Sequence, residues 1–197
     1  KDIFTMLNNA DIKFPFIKDE NGEEIELTKG RYITFLESRD RRVRKDAFQA
    51  LYSSYSKQKN TLSALLTSNI KKNNFYKTVR GYGSCLEKSL DADNITVDVY
   101  DNLIDTINKN LHLLHRYLKL RKKVLNLETL HMYDLYVPLV EQPERKIPYE
   151  DAVEIVKKGL KALGETYIKD LSKGFESGWV DVYENEGKTS GAYSWGA

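Results

Sequence analysis

Cysteine is scarce in this chain: Cys85 is the single cysteine among 197 residues. One thiol cannot form an internal disulfide, which is consistent with a reducing compartment, and we therefore expect a cytoplasmic location. Long apolar runs are also missing, since no stretch approaches the ~18 consecutive apolar residues of a membrane span. We therefore expect no membrane-inserted segment.

An excess of either charge is missing as well. The chain has 31 Lys and Arg against 29 Asp and Glu, which gives a net charge of +2. Proteins that bind nucleic acid through its phosphates usually need a marked basic excess, so we expect no nucleic-acid partner. Five cations crowd one short run: Arg39, Arg41, Arg42, Arg44 and Lys45. We interpret them as a solvated helix face that holds carboxylates of the same chain, with an RNA-binding patch as the weaker alternative.

Local signals predict the first elements. Asn21-Gly22 lies between two short β-prone runs and predicts a hairpin. Thr28 is a typical N-cap for the short helix that follows it. From Asp40 onward, apolar residues recur every three or four positions without a proline, which predicts one helix to about Asn73.

The clearest helical periodicity follows Thr96, which is a candidate N-cap. Its apolar positions are Tyr100, Leu103, Ile104, Ile107, Leu111, Leu114 and Leu118. They predict a helix with one buried face, and the cations at 121–123 suit the negative C-terminus of that helix.

Three of the four prolines lie between residues 138 and 148 and exclude a continuous helix there. We expect an extended or irregular segment from Leu130 to Val140. Helices then resume over Asp151 to Leu163 and, after Gly164, over roughly Glu165 to Phe175.

The last residues change in character. Trp179 to Tyr183 alternates apolar and polar residues, and Gly187 to Ala197 is rich in Gly, Ser and aromatics, a pattern that favours strand and loop. The predicted fold class is therefore mainly α. It is a multi-helix bundle with a small β-hairpin near the N-terminus and a strand/loop C-terminal tail.

Candidate metal ligands are few. His112 and His115 lie three residues apart, but no third His or flanking Glu pairs with them at a ligand spacing, so we interpret them as structural or surface residues. His131 and Asp134 form a polar pair within an apolar and aromatic run. Such a pair must be hydrogen-bonded if it is buried, and we favour a satisfied core pair over a functional one.

Four further motifs have structural interpretations. Cys85 has no identifiable base beside it and is expected to be a small buried thiol. Asp91-Ala92-Asp93-Asn94 departs from the calcium-loop pattern and favours a helix cap. Gly81-Tyr82-Gly83 lacks the Lys-Ser/Thr of a phosphate-binding loop. The carboxylates of the tail give no sign of paired acid and base roles: Asp181, Glu184 and Glu186.

Three separated segments carry a family resemblance. They are Arg80 to Leu90 (RGYGSCLEKSL), Leu130 to Leu139 (LHMYDLYVPL), and Gly178 to Asn185 (GWVDVYEN) with Gly187 to Gly196 (GKTSGAYSWG). In this order and spacing they resemble oligoendopeptidase F, a thimet-type family of zinc metallopeptidases, over the entire chain. The resemblance implies that residues 1–81 are a helical lobe preceding the peptidase domain and that residues 82–197 are the N-terminal part of that domain.

The zinc site of this family is a His-Glu-x-x-His helix with a further Glu ligand. No His-Glu-x-x-His occurs in this sequence. The resemblance therefore implies that the chain stops before the zinc helix, that zinc belongs to the parent enzyme, and that this part contains no catalytic or metal-binding residue. The implied partners are short peptide substrates and the remainder of the catalytic domain.

One segment is a candidate for substrate binding. Gly191, Ala192 and Tyr193 lie on a strand-like run beside the cleft that the resemblance implies, where small residues let a peptide approach backbone to backbone. An ordinary turn with a packed Tyr193 is an equal alternative. For the chain as a whole, the alternative to a peptidase segment is a helical protein- or peptide-binding module.

Overall fold

The computed structural model of the chain describes residues 2–140, 147–183 and 188. Within these ranges the fold is mainly α, as predicted. The helices are α1 (Asp2–Met6), α2 (Lys29–Glu37), α3 (Arg41–Lys57), α4 (Lys59–Val79), α5 (Cys85–Leu90), α6 (Val97–Val124), α7 (Tyr149–Gly159) and α8 (Glu165–Glu176). The strands are β1 (Phe16–Lys18) and β2 (Glu24–Glu26). None of these helices is long and apolar enough to cross a membrane. The chain divides into two compact units, unit 1 (Lys1–Leu139) and unit 2 (Val140–Ala197).

The predicted hairpin is confirmed, because β1 and β2 pair antiparallel with their central isoleucines opposite each other. The Asp19 carboxylate accepts the backbone N–H groups of Asn21 at 2.8 Å and Glu23 at 2.9 Å. Gly22 takes the positive φ of 86° that this turn requires. The Asn-Gly pair therefore marks the turn, and Asp19 fixes the conformation of its loop.

The core of unit 1 forms where the hairpin meets α2 and α3. Thr28 caps α2, because its hydroxyl oxygen accepts the backbone N–H of Arg31 at 3.1 Å. Beyond this cap, α2 packs on α3, and α3 packs on β1. The buried cluster between them consists of Ile17, Leu27, Phe35, Val43 and Ala47. Removing apolar surface from water is favourable by roughly 25 cal/mol per Å², so this cluster holds α2 and α3 on the hairpin.

The single helix expected over residues 40–73 is wrong in one respect: the chain breaks at Gln58 and continues as α4 to residue 79. The N–H of Gln58 bonds to the carbonyl three residues back, at 2.9 Å, instead of four. One turn earlier, the hydroxyls of Ser53 and Ser54 bond to the Ala50 carbonyl, and such back-bonding bends helices. Because α4 resumes after one residue, the apolar spacing continues almost in phase and does not reveal the break.

The helix predicted after Thr96 is confirmed as α6, but the predicted burial of its apolar face is wrong for this chain. Leu103, Ile107 and Leu114 are 58%, 54% and 50% exposed, respectively. α6 packs against α5, and Arg121, near the C-terminal end of α6, is buried. The periodicity identifies the apolar positions, whereas burial also requires a layer that covers them. The described part of unit 1 does not supply that layer.

Unit 2 contains α7 and α8, joined by a short 3₁₀ turn. α8 begins after Gly164, as predicted, and this glycine has a φ of 97°. The rings of Tyr149 and Phe175 meet edge to face with centroids 6.5 Å apart. A Cβ at Gly174 would lie 3.1 Å from Cε3 of Trp179, so the indole packs directly on the backbone of α8.

The described part of the C-terminal tail is a loop. Residues 179–183 follow α8 without forming a strand, so of the strand and loop expected there, the loop is observed. In the parts of the chain that the structure describes, β1 and β2 form the only sheet. Of the run from Gly187 to Ala197, Lys188 alone belongs to the described residues.

We expect Leu36→Ala to lower the free energy of unfolding by about 2 to 5 kcal/mol, because a deleted core side chain leaves a cavity. Leu36 is only 2% exposed. Leu114→Ala is the matched control, since it removes the same atoms from a side chain that is 50% exposed, and we expect a loss below about 1 kcal/mol. Denaturant-induced unfolding measures both variants. Equal losses would mean that the apolar face of α6 is covered in solution.

Candidate functional site

The most tightly organised polar site in the described residues is one buried carboxylate with three arginines, here named the carboxylate centre: Asp134, Arg41, Arg44 and Arg121. Arg41 and Arg44 lie one turn apart on α3, and Arg121 lies near the end of α6. Asp134 closes a 3₁₀ turn over Met132–Asp134 and is 0% exposed. Two helices and one loop therefore meet at Asp134: α3 contacts its carboxylate and α6 contacts its backbone carbonyl.

Both oxygens of the Asp134 carboxylate are held by α3. Arg41 donates from Nη2 to Oδ2 at 2.9 Å and from Nε to Oδ1 at 3.2 Å. Arg44 donates from Nη2 to Oδ1 at 2.9 Å. The backbone N–H of His131 donates to Oδ2 at 3.0 Å. This last bond confirms that His131 and Asp134 are hydrogen-bonded, but the predicted core pair is wrong for His131, which is exposed.

The same arginines hold the backbone of residues 129–137, here named the 129–137 loop. Arg121 donates from Nε to the Asp134 carbonyl at 2.8 Å and from Nη2 to the Val137 carbonyl. Arg41 donates from Nη2 to the Thr129 carbonyl at 2.8 Å. Irregular backbone that packs inside a protein needs partners for its carbonyls, and here guanidinium groups provide them.

Hydrogen bonding decides the protonation state of Asp134. Burial alone would raise the pKa of its carboxyl, but the hydrogen bonds from Arg41, Arg44 and the His131 N–H outweigh burial and hold that pKa below its ordinary value. Hydrogen bonding to Asp134 in turn raises the pKa of Arg41. The carboxylate is therefore ionised at neutral pH.

The carboxylate centre is built for structure rather than for proton transfer. A carboxylate offers about four acceptor positions. Four donors already occupy those of Asp134. No position is left to accept a proton from a substrate, so Asp134 is not a general base.

Aromatic rings flank the centre. The ring of His131 stacks on Tyr133 with centroids 5.0 Å apart and planes within 7° of parallel. The guanidinium of Arg41 lies 5.4 Å from the centroid of the Tyr133 ring, and Phe48 of α3 meets the same ring edge to face at 5.9 Å. Tyr133 thus joins the 129–137 loop to α3. This contact lies beside Arg41, whose side chain is 40% exposed.

The basic run of α3 partly matches its prediction. Its arginines do hold carboxylates of the same chain, since Arg42 contacts Asp40 at 3.3 Å and Asp46 at 3.4 Å. The expected solvated face is wrong for Arg44, whose side chain is 4% exposed. A helix that packs on both the hairpin core and the 129–137 loop has more than one buried face.

The histidines of α6 do not form a metal site with each other in this structure. His112 Nδ1 contacts the Lys109 carbonyl at 3.0 Å, and His112 and His115 are both exposed. Among residues 2–140, 147–183 and 188, no three or more His, Cys, Asp or Glu side chains are grouped so that they could hold a metal ion.

The segment from α4 to α6 is a series of helix ends. Gly81 has a φ of 75° and follows the C-terminal end of α4. Cys85 opens α5, is half-buried rather than buried, and its Sγ lies 3.2 Å from Oδ1 of Asn74. Asp91 accepts a hydrogen bond from the Tyr82 hydroxyl at 2.6 Å. Asn94 caps the following 3₁₀ turn with a φ of 52°, as the helix-cap interpretation predicted.

The predicted substrate segment, Gly191 to Tyr193, lies outside the described residues, and so do Glu184 and Glu186. Asp181 is described, and its carboxylate lies 3.2 Å from Nζ of Lys188. The same ammonium donates to the carbonyls of Asp181 at 2.5 Å and Tyr183 at 2.9 Å. Asp181 is thus paired with a lysine, and the roles suggested for Gly191, Ala192 and Tyr193 stay predictions.

Sequence reasoning missed the role of Arg121, which was assigned to the cationic end of a helix. A usable signal was present, because Arg121 lies three residues after Leu118 and so continues the apolar stripe of α6. A charged residue at a stripe position must be paired if it is buried. The adjacent loop with its buried aspartate supplies the partners.

Comparison with known proteins places the chain in a family. The family model for peptidase family M3 matches residues 34–197. Oligopeptidase PepF of Bacillus subtilis is 54% identical over 98% of this chain and 29% of its own length. Group B oligopeptidase PepB of Streptococcus agalactiae is 45% identical over 98% of this chain and 32% of its own length. The chain belongs to peptidase family M3.

A solved structure agrees with this assignment. The crystal structure of oligoendopeptidase-F from Enterococcus faecium superposes with a TM-score of 0.70 at 45% identity, over 89% of this chain and 33% of that one. The resemblance to oligoendopeptidase F found in the sequence is therefore confirmed. The chain spans about a third of the length of these family M3 relatives. All four residues of the carboxylate centre lie within the match to family M3.

We expect Asp134→Asn to destabilise the chain by about 3 to 5 kcal/mol at neutral pH, because it leaves the buried guanidinium of Arg44 without its counter-charge and removes the partner of Arg41. The folded-state pKa of Asp134 is lowered from 3.8. Its stabilising contribution is therefore complete above that value and is lost as the pH falls through the folded-state pKa. The difference in unfolding free energy between the two proteins should shrink in acid. Denaturant unfolding at a series of pH values measures it.

Asp46→Asn is the control for this series. Asp46 pairs with Arg42 on the surface of α3, where both side chains are at least 40% exposed. We expect its loss to cost under about 0.5 kcal/mol at any pH. A similar cost for both variants would contradict the claim that Asp134 stabilises the fold more than a surface carboxylate does.

Proposed function

We propose that this chain is a non-catalytic part of a zinc metalloendopeptidase that hydrolyses short peptides. Residues 1–81 form a helical lobe and residues 82–197 form the N-terminal part of the peptidase domain. Membership of peptidase family M3 over residues 34–197 supports the peptidase assignment. The names of the relatives, oligopeptidase and oligoendopeptidase, support short peptides as the substrates of the whole protein.

The residues that the structure describes do not fit a catalytic zinc ion. Such an ion needs three protein ligands that converge, with one position open for water or substrate. Asp134 is saturated by arginine and backbone donors, and the described residues offer no other group of potential ligands. The sequence also lacks His-Glu-x-x-His. We therefore assign the zinc ligands to another part of the full-length protein and derive no catalytic step here.

The observation that carries this proposal is the contrast between a clear peptidase family match and a polar centre that is organised only for structure. The carboxylate centre holds the 129–137 loop between α3 and α6. Such a rigid centre suits a scaffold that positions a catalytic site elsewhere. Gly191, Ala192 and Tyr193 are proposed as a wall of the peptide cleft, and the cytoplasm is proposed as the location.

We expect the purified 197-residue chain to bind no stoichiometric zinc and to cleave no peptide. We expect the full-length protein that contains it to bind zinc and to cleave short peptides. Metal analysis after dialysis and a quenched-fluorescence peptide assay test both. One equivalent of tightly bound zinc in the 197-residue chain, with cleavage that a chelator abolishes, would contradict the proposal.

The cleft-wall role has its own control in the full-length protein. Ala192→Val adds bulk where a peptide backbone would approach, so the KM for peptides should rise while zinc content stays unchanged. Ser190→Ala, just outside the proposed segment, is the matched small substitution and should leave KM unchanged. An unchanged KM in Ala192→Val would remove this segment from the cleft.

A further inference from the structure

The apolar surface of α6 is wider than one stripe. Besides the stripe predicted from sequence, a second set of apolar residues follows the helical spacing in its C-terminal half: Leu113, Tyr117, Leu120 and Val124. At roughly 100° per residue, this second stripe lies about 200 to 260° around the helix from Tyr100, whereas the first stripe lies within about 60° of it. On one side only about 40° separates the two stripes, so together they form one apolar arc that covers roughly 200° of the helix.

Both stripes are open to solvent in this chain. The members of the second stripe are between 48% and 53% exposed, much like Leu103, Ile107 and Leu114 of the first. An ordinary surface helix has an apolar stripe about 100° wide, so an apolar arc of roughly 200° indicates a helix that is covered over more than half of its circumference. Contiguous exposed apolar surface in a native protein marks an interaction surface.

The remaining side of α6 is suited to water. On this side, over about 160° of the helix, the side chains beyond Val97 of the first turn are polar or charged, with both signs present. Asp101, Asp105, Lys109, Arg116 and Lys119 lie on this side and are exposed. The mixed charges argue against a nucleic acid or an anionic membrane as the covering partner, since both favour a cationic face.

One end of α6 is already part of a packed interface. Arg121 is 4% exposed and donates to the Asp134 and Val137 carbonyls. Its Nη1 also donates to the hydroxyl of Tyr117, a member of the second stripe, at 3.1 Å. The open stripes are thus continuous with the interface that holds the 129–137 loop.

The geometry points to one occupant: we propose that residues of the full-length protein outside this 197-residue chain cover both apolar stripes of α6. Relatives that match 98% of this chain are about three times longer, so the additional chain exists in the family. α6 has 28 residues and is about 42 Å long. One helix of a second copy that packed along α6 about a two-fold axis would cover a single stripe and leave part of so wide an apolar arc open. This inference rests on the longer protein invoked above but not on its being a peptidase.

Thiol labelling tests the proposal in both proteins. In a Cys85→Ser background, Ile107→Cys probes the first stripe, Leu120→Cys the second, and Asn108→Cys the polar side. In the full-length protein we expect the first two thiols to react on the order of 100-fold more slowly with a maleimide than the third, because buried groups react only after local opening. In the 197-residue chain all three should react at similar rates. Peptide mass spectrometry assigns each label to its site.

Every other pattern overturns the proposal. Fast labelling of either stripe in the full-length protein would leave that face open for a separate partner. Slow labelling in the 197-residue chain would mean that its own residues cover α6, or a second copy if the protection grows with protein concentration. These labelling experiments do not measure activity. A full-length protein without zinc or peptidase activity would therefore refute the proposed function without contradicting the burial of the two stripes of α6.

A second measurement avoids substitution altogether. Hydroxyl-radical oxidation of the natural proteins compares Tyr100 on the first stripe with Tyr117 on the second, which are 39% and 48% exposed in this chain. We expect both tyrosines to be oxidised more slowly in the full-length protein than in the 197-residue chain. Equal rates in the two proteins would contradict the proposal even if a cysteine variant failed to fold.

Discussion

A carboxylate buried away from water is stable only when charges and donors surround it. In unit 1 this condition is met at Asp134, and meeting it joins parts of the chain that are distant in sequence. Arg41 lies 93 residues before Asp134, and Arg44 lies 90 residues before it. The 129–137 loop has little regular structure, so its carbonyls depend on the guanidinium groups of α3 and α6. The placement of this loop therefore depends on the Asp134 carboxylate and on the arginines that bind the backbone carbonyls of the loop.

The elements that could be predicted from sequence are those that local chemistry determines. Asn21-Gly22 fixes the hairpin turn, Thr28 caps α2, and Gly164 precedes α8, each through backbone geometry within a few residues. The apolar positions of α6 follow from its periodicity in the same way. Their burial does not, because burial depends on what packs against the helix, and this chain leaves them open.

The features that could not be predicted depend on contacts across the chain. A cation-rich helix start predicts a solvated face. This prediction is wrong for Arg44 because its partner, Asp134, lies 90 residues away in the sequence. The break at Gln58 keeps the apolar spacing almost in phase and so leaves no trace in it. The family could be recognised from three motifs. The role proposed for Gly191 to Tyr193 could not be derived in the same way, because it depends on residues outside this chain.

Together, these features describe a scaffold in which one rigid polar centre fixes a loop between α3 and α6, while α6 presents apolar surface beyond it. The centre is saturated with donors and does no chemistry of its own. We propose that its contribution to the full-length protein is positional. The family match, the saturated carboxylate and the exposed apolar stripes of α6 support this proposal.

The most direct test of this account is a double-mutant cycle between Arg44→Met and Asp134→Asn, measured by denaturant unfolding at neutral pH. Arg44→Met leaves Asp134 buried with one counter-charge fewer, and Asp134→Asn leaves Arg44 buried without its counter-charge. The double variant should therefore lose less stability than the sum of the two single variants. We expect a coupling of about 1 to 3 kcal/mol between the two positions. Losses that add to within about 0.3 kcal/mol would show that the two residues act independently and would contradict the central role of the Asp134 carboxylate.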